Sequence, residues 1–266
     1  MKVKEVKRTF FFRDFKPLAW VTAFIFLVMA FLPTSDSIPG KATDKILHGA
    51  GFYLLVLFFS EGYGWRKKWI FFLFAAGWGL LMEGIQAAIP WRDASLSDLA
   101  MNAFGAFLAL LTPRSIFDIL VRLAASLFYV GKIPLAPATF ASAVTLILYY
   151  ISPFESSFLI LVLPFLYIAG IWISSYCEDI WGPDAHAIVV DEVVGVLVTV
   201  LFHGKNPFVL GLGFLFFRFF DIRKPFYIRY AEKLPAGFGV MTDDLFAGIL
   251  GNIALTLVLV VDKLFF

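Results

Sequence analysis

The sequence predicts an all-α fold: a polytopic integral membrane protein with about nine transmembrane helices in two helical domains. Three observations carry this. Of 266 residues, 61% are hydrophobic and 33 are Phe, and mean hydropathy is +0.85, whereas a soluble domain is nearer half apolar. About nine apolar runs reach, or nearly reach, the length needed to cross a bilayer. Lys and Arg sort strongly between alternate connections.

The elements follow in order. "MKVKEVKRTFFFRDFK" is basic and precedes an apolar run at 17–33. No small-x-small cleavage site follows, so the run reads as a retained first helix. Runs at 46–62, 69–89 and 96–112 complete a first domain, 1–115, and the last two carry polar residues inside them. "TPRSIFDILVRLAASLFYVGK" reads as a short amphipathic connector and puts the domain boundary near 113–125. Runs at 139–152, 157–175, 188–203, 207–220 and 245–262 make the second domain, 118–266, with Gly and Pro punctuating them.

With the N-terminus cytoplasmic, seventeen of the 22 Lys and Arg fall inside and five outside. That positive-inside bias predicts a multi-pass protein of the inner (cytoplasmic) membrane, with the C-terminus outside after nine spans. It also sorts the polar stretches. Asp44, His48, Glu83, Arg92 and Asp98 fall at the outer face; Gly131 to Ser142, Glu178 to Glu192 and Asp221 to Asp244 fall at the inner face. A single cysteine, Cys177, excludes an intrachain disulfide, and with only His48, His186 and His203 beside it no zinc or cluster site is expected. No nucleic-acid partner is expected.

Three segments of the second half carry its chemistry. In "GKIPLAPATFAS" the prolines oppose helix, and small residues around Thr139 and Ser142 would let backbone amides approach an anion. A kinked re-entry loop explains that segment equally well. In "EDIWGPDAHAIVVDEVVG", Asp191 and Glu192 stand adjacent at the start of a span, and a helix reaching back to Asp184 would put both aspartates on one face. Gly195, four residues on, would let a neighbouring helix pack closely there. Solvated carboxylates favoured by the helix macrodipole are the plainer explanation of this segment alone.

The third segment runs from Asp221 and Lys224 through Arg229, Gly237 and Gly239 to Asp243 and Asp244. Two of these three segments thus bring carboxylates to one membrane face, with basic residues beside them. Hard oxygen ligands around Mg²⁺, with Lys and Arg holding a phosphate, explain the set. Without a Cys-x₅-Arg nucleophile or a His cluster, metal-assisted attack of water on a phosphomonoester is the economical chemistry.

The order P-x-x-P-x-T-x-x-S, D-E-x-x-G, D-x-x-K-P, I-R and G-x-G-x-M-x-D-D resembles the bacterial phosphatidylglycerophosphatase A family, over about 118–262. The resemblance implies Mg²⁺-dependent hydrolysis of phosphatidylglycerophosphate to phosphatidylglycerol, with the phospholipid substrate in the cytoplasmic leaflet. It carries over Thr139 and Ser142 for substrate, and Asp184, Asp191, Glu192, Asp243 and Asp244 for metal. Asp221, Lys224, Pro225 and Arg229 match the last motif, with Lys224 and Arg229 expected to offset phosphoryl charge. Asp191 or Glu192 is expected to position the water. Ala138, Ala141 and Ala236 stand where the family usually has glycine.

The first half places Asp44 one helical turn before His48, Glu83 on one face with Gln86, and Asp98 on one face with Asn102 and Gly105. Glu83, inside an apolar run, needs a partner, for which His48 or Arg92 would serve. The pattern D-K-x-x-H, E-x-x-Q, P-x-R and D-x-x-x-N-x-x-G resembles the VanZ-like family across about 40–112. That resemblance implies an accessory domain rather than a reaction. Two other readings stay open: a phosphatase for a different lipid phosphate, and a non-catalytic envelope-lipid transporter or scaffold. A transporter should hold its ionisable groups near the bilayer midplane, whereas these cluster at span ends.

Overall fold

A computed structural model of the chain describes residues 14–31, 41–92, 94–183, 185–231 and 234–265, and every regular element in them is helical. The α-helices are α1 (Lys16–Phe31), α2 (Lys41–Tyr63), α3 (Lys68–Ala87), α4 (Leu96–Leu111), α5 (Arg114–Ala125) and α6 (Pro137–Ile151). There follow α7 (Ser156–Trp181), α8 (Val190–Val200), α9 (Pro207–Arg223), α10 (Phe226–Ala231) and α11 (Gly237–Phe265). Each of the nine apolar runs coincides with one of these helices.

The lengths do not support nine full spans. Among the described residues four helices are long and apolar enough to cross a membrane, covering Thr43–Tyr63, Trp65–Ala87, Phe158–Trp181 and Gly237–Phe265. A fifth span exists if α4 and α5, bent by 110° at their junction, are taken together. At 1.5 Å per residue the 11-residue α8 is about 16 Å long, half of a ~30 Å hydrocarbon core. An apolar run reports what can be buried; caps and neighbours decide where the helix ends.

The chain divides into two compact units, with the boundary within α5 after Ile119. In the N-terminal unit, rings pack edge to face: Trp20 of α1 on Phe59 of α2 and Phe74 of α3, and Phe15, just before α1, on Phe117 of α5. Helices α2 and α4 cross at Gly49 and Gly105, where a Cβ on Gly105 would sit 1.9 Å from the Gly49 carbonyl oxygen. Only glycine permits that approach.

The C-terminal unit uses the same device. Helices α8 and α11 cross at Gly195 and Gly248, where a Cβ on Gly248 would lie 2.4 Å from the Gly195 carbonyl oxygen. Thr199 Oγ lies 3.1 Å from that oxygen and 3.2 Å from the Gly248 oxygen, so its hydroxyl pins the crossing. Asn252 Nδ2 donates to the carbonyls of Val198, Thr199 and Leu201 at 2.7–3.1 Å, closing the C-terminal end of α8.

Candidate active site in the C-terminal unit

The two glycines bring the carboxylates together. Asp191 stands one turn before Gly195, and Asp244 one turn before Gly248, so the close crossing of α8 and α11 sets both acidic pairs side by side. Asp191 and Glu192 occupy the first turn of α8, where the helix macrodipole favours negative charge. Helix α11 begins at Gly237, eight residues before the apolar run expected from 245. Ser175 Oγ takes the Gly237 N–H at 3.0 Å, which satisfies an otherwise unpaired donor and lets the helix start early. Asp243 and Asp244 therefore sit inside α11, 6% and 3% exposed, rather than at its mouth.

Helix α9 supplies the cations. Arg218 Nη1 donates to Glu192 Oε2 at 2.9 Å and to Asp221 Oδ2 at 2.6 Å, tying α9 to α8. Lys224 ends α9 in a left-handed conformation, φ 41°, which turns its chain inward so that Nζ donates to Asp243 Oδ2 at 2.8 Å. Five carboxylates (Asp191, Glu192, Asp221, Asp243 and Asp244) thus meet two cations. The carboxylates and Lys224 line a pocket of about 200 Å³ together with Pro137, Ala138, His186 and Val240. Asp191, Glu192 and Asp244 each offer an oxygen, all within 4.8 Å of one another.

The set fits a divalent ion. Asp244 Oδ2 is buried and, among the described residues, accepts no hydrogen bond, while further carboxylates surround it. Unneutralised buried carboxylates are strongly disfavoured, and a hard cation taking oxygen ligands removes the conflict. Backbone N–H groups already hold the neighbouring oxygens: Glu192 N–H donates to Asp191 Oδ1, and Asp244 N–H to Asp243 Oδ1, both at 3.0 Å.

Not every expected residue reaches the pocket wall. The segment before α6 is irregular only as far as Ala136; Pro137 starts the helix, so Thr139 and Ser142 lie in α6 rather than in a loop. Ser142 is fully buried, donates to the Ala138 carbonyl at 2.8 Å, and stands 3.5 Å from Glu192 Oε2, behind the carboxylate. Thr139 is half-buried on the same helix. Arg229 is exposed on α10 and is not among the lining residues. Helix α8 starts at Val190, and Asp184, expected on the face of Asp191, lies outside the described residues.

Two residues at the site are not among the site residues expected from sequence. Arg218 sits in a Phe-rich run, and its signal is the i,i+3 spacing to Asp221 on one helix face. His186 lies in the same segment as Asp191 and is exposed at the pocket. Ala136 and Ala236 adopt left-handed φ of 50° and 51° beside the site. That conformation costs an L-residue about 1–2 kcal/mol, which is why glycine suits position 236.

The N-terminal unit gathers its own polar group. His48 Nδ1 lies 3.0 Å from Asn102 Oδ1, and its Nε2 3.9 Å from Asp44 Oδ1. Asp44, His48 and Asp98 offer atoms within 4.8 Å of one another. Glu83 Oε2 accepts the Ser95 backbone N–H at 2.7 Å, so the partner is the free amide at the start of α4, where His48 or Arg92 was expected. Gln86 is buried beside it on α3, and Arg92 is half-buried in the connection that follows.

The family model described as phosphatidylglycerophosphatase A matches residues 123–259. A Bacteroides thetaiotaomicron protein, provisionally named phosphatidylinositol-3-phosphatase, is 38% identical over 130 residues, 45% of this chain and 80% of that protein. The phosphatidylglycerophosphatase A of Haemophilus influenzae is 47% identical over 73 residues, 27% of this chain and 45% of that protein. The phosphatidylglycerophosphatase A of Escherichia coli K12 is 30% identical over 130 residues, 45% of this chain and 72% of that protein. No solved structure matches the chain.

Proposed function

Because the chain belongs to the phosphatidylglycerophosphatase A family, we propose that it is a Mg²⁺-dependent membrane phosphatase acting on phosphatidylglycerophosphate, with phosphatidylglycerol and phosphate as products. One observation carries the reading: five carboxylates converge on a pocket where, among the described residues, Arg218 and Lys224 are the cations paired with them.

Asp191, Glu192 and Asp244 would hold the ion, with Asp243 and Asp184 as further candidates from the motif. Mg²⁺ held by these residues would supply charge neutralisation and Lewis-acid polarisation of the phosphoryl group. In the hydrolysis water oxygen bonds to phosphorus, the bond from phosphorus to the glycerol oxygen breaks, and that oxygen takes up a proton. Asp191 or Glu192 accepts a hydrogen bond from the water and so orients it. Lys224, at the pocket wall, offsets charge on the transferring phosphoryl group. Arg218 keeps Glu192 and Asp221 in place. Thr139, Ser142 and Arg229 are assigned to the substrate by the motif.

If the nine runs alternate across the bilayer, the seventeen-to-five division of basic residues supports a pocket on the cytoplasmic side of the inner membrane, with the N-terminus cytoplasmic. Residues 40–112 are proposed as a VanZ-like accessory domain, on the strength of Asp44, His48, Glu83, Gln86, Arg92, Asp98 and Asn102. An envelope lipid or glycan precursor is the ligand class suggested for it.

A second substrate reading comes from the provisional name of the Bacteroides relative: a phosphoinositide monoester. The deciding experiment is phosphate release by purified protein from each lipid, with and without Mg²⁺. Release from phosphatidylglycerophosphate should require Mg²⁺ and disappear in Asp243→Asn, with the variant still folded. Metal-independent release, or an active Asp243→Asn, refutes the metal-cluster mechanism.

A further inference from the structure

The helices α6 and α9 that frame the polar pocket also frame a second cavity. It is about 320 Å³ in volume and lined by apolar side chains together with Gly211; Ala143, Ile147 and Tyr150 come from α6, and Pro207, Gly211 and Phe214 from α9. The polar pocket takes Pro137 and Ala138 from the start of α6, and Asp221 and Lys224 from the end of α9. The two cavities therefore lie at opposite ends of the same helix pair.

Helix periodicity joins them. Thr139 falls on the α6 face that carries 143, 146, 147 and 150, and Arg218 and Asp221 continue the α9 face that carries 207, 211 and 214. From Gly211 to Asp221 the rise is about 15 Å. One seam thus runs from an apolar end to a charged one. That is the polarity of a lipid monoester, whose phosphate is fixed at one end and whose chains extend from the other.

Resting on the phosphatase reading above, we propose that the α6–α9 seam is the acyl track of the enzyme: one fatty-acyl chain of the substrate lies in the apolar cavity while its phosphate enters the carboxylate pocket. The occupant is the substrate's own chain rather than unrelated membrane lipid because the cavity is continuous in direction with the site where its phosphate must sit. Leaving bulk hydrocarbon for the groove gains the chain little free energy, so the track acts by orientation. It aligns the monoester along α9, and blocking it displaces the phosphate from the reacting groups.

Gly211 provides a clean test, because a Cβ there meets nothing within 4 Å and a larger side chain projects into open space. Gly211→Phe should lower kcat/KM on dipalmitoyl phosphatidylglycerophosphate by about tenfold or more. It should leave hydrolysis of the deacylated headgroup, glycerophosphoglycerophosphate, unchanged. Leu215→Phe, an exposed apolar position on α9 outside the cavity, should alter neither. Unchanged long-chain activity in Gly211→Phe overturns the track, as does an equal loss on both substrates. A second arm stands apart from turnover: a phosphatidylglycerophosphate with a diazirine in one chain should photolabel residues 143–150 and 207–214, and Gly211→Phe should abolish that labelling. Labelling elsewhere overturns the track. If wild-type protein hydrolyses neither substrate yet labels there, the phosphatase reading fails and the track stands.

Discussion

The crossing of α8 and α11 makes a graded prediction. A Cβ at Gly248 would stand 2.4 Å from the Gly195 carbonyl oxygen, about 1 Å inside the 3.4 Å at which ordinary contact begins. The obstacle is backbone, so no side chain can swing aside and the helices must part by roughly that distance. The acidic pairs lie one turn away on the same two helices and separate with them. Misplacing a catalytic group by about 1 Å costs on the order of 10²-fold in rate, and overpacking costs about 1–3 kcal/mol of stability. Gly248→Ala should therefore lose about two orders of magnitude in Mg²⁺-dependent phosphate release while eluting as a folded protein. At Gly251 the nearest atoms, on the Thr199 side chain, are 3.0 Å from the added Cβ, so Gly251→Ala should lose much less. At Gly211 nothing lies within 4 Å, and Gly211→Ala should match wild type. Rates and thermal unfolding in detergent would be measured for all three. A Gly248→Ala enzyme within twofold of wild type, or a Gly211→Ala enzyme equally damaged, refutes the claim that the glycine crossing positions the carboxylates.

Two further outcomes follow from the same geometry. Arg218→Met strands the carboxylates of Glu192 and Asp221, 7% and 8% exposed, and should cost about 3–5 kcal/mol with loss of activity. Added Mg²⁺ should recover part of that stability and Arg218→Lys should be milder, both read by thermal unfolding; a Met variant that unfolds and turns over like wild type removes Arg218 from the site. For sidedness, Leu135→Cys and Gly204→Cys in a Cys177→Ser background should differ towards an impermeant thiol reagent on intact cells. Position 204 should label and 135 should not, and labelling at 135 contradicts a cytoplasmic pocket.

Much of this protein is legible from local properties. Helicity and membrane burial follow from apolar runs because hydropathy adds residue by residue, and each run does fold as a helix. The acidic pairs and Lys224 are likewise legible, since unbalanced carboxylates in an apolar chain demand a partner wherever the chain goes. Gly195 also announced a close helix contact from its place one turn after Asp191. Its partner Gly248, 53 positions on, is a fact of tertiary structure, and so is the Arg218–Glu192 pair that joins α9 to α8. Helix ends needed the fold as well. Helix α8 closes early because Asn252 of α11 takes its last carbonyls, and α11 opens early because Ser175 of α7 takes the Gly237 N–H. Glu83 found a backbone amide at the start of α4 where sequence offered only side chains. In each case an apolar run fixes what must be buried, while a polar atom from a distant helix decides where the run stops and which side chains meet, because every buried donor and acceptor must find its partner in three dimensions.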